Sequence, residues 1–79
     1  MIGRVVITGR NNNLFLVRLE DGYSIIRLPG FYADIGDSLD ISPDSDGEYK
    51  IDNLSNNIQN INAVIIGTFK DIESALRLM

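Results

Sequence analysis

The chain contains no cysteine, no histidine and no tryptophan among its 79 residues, and only two prolines. Without cysteine no disulfide can brace the fold, and thiolate nucleophiles and thiolate metal sites are excluded. Without histidine the commonest general base and metal ligand is missing as well, which leaves carboxylates, tyrosines, hydroxyls, Lys50 and Lys70 for any proton transfer. No apolar run approaches the roughly 20 residues that a membrane helix needs. The opening Met1-Ile2-Gly3-Arg4-Val5-Val6-Ile7 turns polar without the apolar stretch and small-residue cleavage site of a secretory signal. A cytoplasmic location without membrane contact is the expectation. The seven glycines are scattered, forming neither a GxGxxG nor a GxxxxGK pattern, so no phosphate loop is encoded.

What is present is the composition of a globular chain, 44% hydrophobic and 23% charged. A chain this short buries only about 60 to 65% of its unfolded surface, so residues 1–79 should form one small domain with one modest core. The net charge of −4 is unevenly spread. Residues 1–33 carry four arginines against Glu20 and Asp21, a balance of +2, whereas residues 34–79 carry three basic residues against nine acids, a balance of −6. Eight asparagines, three of them consecutive at Asn11-Asn12-Asn13, suit left-handed backbone positions and side-chain-closed turns.

Two apolar-rich runs flank Asp21-Gly22, the dipeptide of tight hairpins. Placing those two residues at the turn pairs Arg18 with Ile25, Val17 with Ile26 and Leu16 with Arg27. Phe15, Val17, Leu19, Ile26 and Leu28 then share a core face, and Leu16, Arg18, Glu20, Tyr23, Ile25 and Arg27 share the outer one. A first strand over roughly 2–10 should join through the asparagine run, with Arg4 opposite Glu20, Val6 opposite Arg18, and Val5 and Ile7 inward. Further strands are expected with Leu39 and Ile41 inward, at Glu48-Tyr49-Lys50-Ile51 after the turn-forming 43–47, and at Ala63-Val64-Ile65-Ile66-Gly67-Thr68. The last has the continuous apolar character of a strand covered on both sides. Asp71 can cap a short helix with Ile72, Ala75, Leu76 and Met79 on one stripe, which is expected to plug an open end.

Five or six short strands and a terminal helix predict a mainly all-β fold, a small, partly open OB-like or SH3-like barrel, since closure removes exposed edges. The runs Leu19-Glu20-Asp21-Gly22-Tyr23, Leu28-Pro29-Gly30, Ile35-Gly36-Asp37, Asn53-Leu54-Ser55 and Ala75-Leu76-Arg77-Leu78 resemble small uncharacterised bacterial proteins of similar length. The resemblance implies an OB-like barrel and no functional residues. The chain departs from it at the acidic 44–47, where those proteins have a second glycine-rich turn.

No catalytic centre, cofactor, metal or small-molecule substrate is expected. Asp44-Ser45-Asp46-Gly47 fails as a calcium loop, because alignment on Gly47 puts Ser42 at its start and Asn53 at its end. Asp37 and Asp40 could in principle form an acid pair, but loop aspartates ordinarily serve turns, and so small a barrel leaves little room for a cleft. The hairpin's outer face is the candidate surface, with Arg4, Arg10, Arg18 and Arg27 beside Leu16, Tyr23 and Ile25. Apolar and aromatic anchors rimmed by charge suit a protein partner or self-association. The binding residues expected are Leu16, Arg18, Tyr23, Ile25 and Arg27. The alternative is single-stranded nucleic acid held by Arg18, Tyr23 and Arg27; it has one aromatic to stack on and a net negative chain against it. A plainly solvated face, or a basic partner at the acidic 34–48, completes the alternatives.

Overall fold

The computed structural model describes residues 1–9, 13–43 and 48–79. Six strands, β1 (Ile2–Thr8), β2 (Leu14–Leu19), β3 (Gly22–Arg27), β4 (Ser38–Pro43), β5 (Glu48–Asn53) and β6 (Ile58–Phe69), precede one helix, α1 (Ile72–Leu76). They form a closed barrel in the order β1-β2-β3-β6-β5-β4, with every neighbouring pair antiparallel and β4 returning to β1. The chain is thus two three-stranded meanders facing each other, joined by the 28–37 crossover. Closure leaves no edge strand to template aggregation. Irregularities at Val5/Ile7, Ile25/Ile26 and Ile51/Asn53 supply the local bending that so small a ring requires.

The hairpin turn falls one residue earlier than Asp21-Gly22. Leu19 pairs with Gly22, Arg18 with Tyr23, Val17 with Ser24 and Leu16 with Ile25, leaving Glu20-Asp21 as the loop. Gly22 is reserved for another purpose, since a Cβ there would collide with the Phe69 carbonyl oxygen of β6, and its φ is 153°. Moving the turn by one residue shifts each partner by two, and a two-residue shift preserves faces. Phe15, Val17, Ile26 and Leu28 therefore lie inside as expected, with Val5, Ala33, Leu39, Ile41, Ile51, Ile61 and Ala63.

Other expectations change. The bulge in β1 sets Ile7 opposite Leu16, so Ile7 turns outward and packs in a second cluster outside the barrel. β6 is twice the expected length, and Val64 and Ile66 on it are both exposed; its outer side is covered only toward its end, where Phe69 packs in the second cluster. The helix forms where expected, with Asp71 accepting the Ser74 amide at 2.8 Å. Its place differs, however. It lies on the outer wall, where Ala75 and Met79 join Leu14, Leu16 and Ile25, instead of entering an open end.

The barrel end away from the hairpin turn is shut by the crossover and a polar knot. Ala33 enters the core, and Tyr32 sets its ring edge-on to Phe15 at 5.7 Å. Buried Asp37 accepts from the Asp34 amide at 2.9 Å, from Asn53 Nδ2 at 2.9 Å and from Asn56 Nδ2 at 3.3 Å. Asn53 Oδ1 in turn accepts the Ser55 and Asn56 amides. The left-handed backbone expected of asparagine appears at Asn13, Asn57 and Asn60, but only Asn56 and Asn57 of the later asparagines lie in a turn; Asn60 and Asn62 are within β6, and Asn53 is a fully buried strut at the end of β5. Arg10, Asn11, Asn12 and the acidic 44–47 turn lie outside the described residues.

Candidate binding surface

Antiparallel pairing aligns outward-facing residues into rows around the barrel. Nearest the hairpin turn, Ser38 of β4 pairs with Arg4, Arg4 with Arg18, Arg18 with Tyr23, and Tyr23 with Phe69 of β6. One row thus reads hydroxyl, guanidinium, guanidinium, phenol, phenyl across five consecutive strands. Arg4 does not face Glu20, as the three-residue-loop register would require. It faces Arg18, and no described residue forms an ion pair with either arginine. Like charges directly opposed across two strands are destabilising, so the pairing has no stabilising role of its own.

The next row is apolar and already occupied. Leu16 and Ile25, two of the expected contact residues, are fully buried beneath Ala75 of α1 with Val6, Ile7, Tyr23, Phe69 and Met79 around them. They are core residues of the folded chain and are unavailable to a partner. The physical reason is that the hairpin's outer face carries too much apolar surface for a small domain to leave wet, and the terminal helix is the nearest cover. The third row pairs Leu14, still buried in the same cluster, with Arg27, and Arg27 with Val64, both of them exposed. Arg27 is exposed but stands four residues along β3 from Tyr23, about 13 Å away at strand spacing. Arg18 and Tyr23 are therefore brought together, whereas Arg27 is not brought to them.

A shallow cleft of about 340 Å³ opens at the turn end, lined by Ile2, Gly3, Arg4, Arg18, Leu19, Glu20 and Ser38. Ser38 uses its amide on Ser55 Oγ at 3.0 Å and its carbonyl on the Leu54 amide at 2.8 Å. Its hydroxyl has no hydrogen-bond partner among the described residues. The parts of this surface hidden in the sequence are Ser38 and Phe69, which reach the row through strands distant in sequence. Arg4 was visible as an outward residue, but its opposition to Arg18 depends on the β1 register.

The acid pair does not assemble. Asp37 is held by three donors in the polar knot, and Asp40 sits 3.3 Å from the Met1 ammonium. Among the described residues no three acidic side chains gather as a metal cluster would. No described helix is long and apolar enough to cross a membrane. Comparison with protein-family models, with curated proteins and with solved structures returns no match, so the surface must be read from its own chemistry.

Proposed function

We propose that the chain is a cytoplasmic, non-enzymatic binding module, and that a protein partner or a second copy docks on the hairpin's outer face at Arg4, Arg18 and Tyr23. The observation that supports this is the opposed, unneutralised Arg4/Arg18 pair beside a half-buried tyrosine. Arginine and tyrosine side chains dominate binding hot spots. The test is light scattering after size-exclusion chromatography, in low and high salt, with affinity capture from lysate in parallel. Changing Arg4 and Arg18 together to Glu should remove the captured protein or the dimer while leaving the circular dichroism unchanged, since both side chains are exposed. An unaltered profile would sink the reading.

A second reading is favoured by one specific feature. Tyr23 and Phe69 are adjacent on neighbouring strands and continue the arginine row, an arrangement suited to stacked bases next to a phosphate backbone, as on OB-like barrels. It requires salt-sensitive retention on single-stranded oligonucleotides that weakens when Tyr23 is changed to Ala. Absence of retention at low salt eliminates it.

A further inference from the structure

Resting on the docking surface just described, we infer that the group seated there is a phosphate monoester, held in the cleft by Arg4, Arg18 and Ser38. Three adjacent strands place these residues in one row, with Ser38 opposite Arg4 and Arg4 opposite Arg18. The same three line a single cleft. Both guanidinium groups lack an ion pair, and the Ser38 hydroxyl lacks a hydrogen-bond partner, among the described residues. The row is therefore a set of unused donors concentrated on a chain whose net charge is −4.

The donor set distinguishes between oxyanions. A carboxylate offers two oxygens, which a single guanidinium fork already satisfies. Two forks and a hydroxyl call for a tetrahedral group with a third oxygen and a charge near −2, which a phosphate monoester carries at neutral pH. The cleft, about 340 Å³ and shallow, lies at the small end of ligand sites and suits such a group at the end of a larger molecule. Ile2 and Leu19 supply apolar wall for whatever bears the phosphate. Glu20 at the rim is the counter-feature. Its carboxylate opposes a dianion and keeps the site weak for free phosphate.

The phosphate can belong to a partner's modified side chain or be free in solution, and two probes separate these. Nitrogen-15 spectra are followed during titration with inorganic phosphate and with phosphoserine, at constant ionic strength, with acetate as the comparison anion. The expected result is saturable movement of the Arg4 and Arg18 Nε–H signals and the Ser38 amide, in the millimolar range for phosphate and lower for phosphoserine if attached chain is also read. Arg18→Gln should weaken binding at least about tenfold by removing a charge-assisted fork. Glu20→Gln should tighten it. Equal movement with acetate, equal movement at Arg27 and Arg77, or no saturation overturns the assignment. If Arg18→Gln abolishes protein capture while the parent chain ignores both phosphates, the docking surface stands and the phosphate falls. If phosphate binds at this row but capture is insensitive to Arg4 and Arg18, the anion site stands and protein docking falls.

Discussion

Two apolar clusters share the hairpin's backbone, yet they are secured in different ways. The inner one, around Phe15, Val17 and Ile26, is enclosed by all six strands and sealed by the crossover. The outer one, around Leu14, Leu16 and Ile25, is roofed by a helix of five residues with one buried side chain, Ala75. Isolated helices of that length do not persist in water, so α1 is helical because it is docked. Leu16 and Ile25 are as completely buried as Val17, and still the two clusters should fail differently. The inner one can open only by breaking the ring, whereas the outer one can open by losing its roof.

The largest effect is expected from a charge placed inside. Val17→Asp should abolish folding, because a carboxylate in the closed interior has no partner and no path to water, at a cost of several kcal/mol against a total stability of about 5–15 kcal/mol. Chemical denaturation with circular dichroism would detect it, and a folded variant would show that the interior is wetter than its packing implies. Asn53→Ala comes next, at about 3 kcal/mol. It removes the 2.9 Å bond to the buried Asp37 carboxylate and frees the Ser55 and Asn56 amides that Asn53 Oδ1 receives, and bonds to charged groups are the strong class. A loss under 1 kcal/mol would mean that water replaces the amide.

Ala75→Asp is the matching charge for the outer cluster and should cost less, about 2 kcal/mol, the order of burying one or two apolar side chains. The loss is capped because α1 can swing away and take the carboxylate into water while the barrel stays closed. Increased binding of a hydrophobic dye with unchanged strand signal is the expected outcome. Global unfolding would instead show that the roof is needed for the ring.

Sequence patterning made legible whatever depends on local period. The inward set of the hairpin survived even a mistaken turn position, because a two-residue shift leaves the alternation intact. Leu39 and Ile41 are likewise placed by alternation, and the Asp71 cap by the helical spacing of the apolar residues that follow it. What stayed hidden depends on long-range position. Nothing local marks the bulge that turns Ile7 outward, the approach of the Phe69 carbonyl that fixes Gly22, or the burial of Asn53 behind Asp37. The candidate surface was half legible for the same reason. Arg18 and Tyr23 are neighbours through a hairpin, but removing Leu16 and Ile25 from the surface required knowing where α1 lands.

The smallest effect, at the cap of α1, gives the sharpest test of the difference between the clusters. The Ser74 side chain and backbone amide, both hydrogen-bonded to the exposed Asp71 carboxylate, hold its pKa below the ordinary 3.8, with a lesser contribution from Arg77. A folded-state pKa below the unfolded one means that the stabilisation is present above the ordinary carboxylate value and is lost as pH falls through the depressed one. Acidification through and below the ordinary carboxylate value should therefore loosen α1. Exchange at the Ala75 amide should then rise before any change at Ile26, whose protection reports the ring. Asp71→Ala should remove that acid-sensitive step and loosen α1 already at neutral pH, since the side-chain cap is lost. If Ala75 and Ile26 instead lose protection together in both proteins, the roof and the ring are one cooperative unit, and the outer cluster belongs to the core as fully as the inner one.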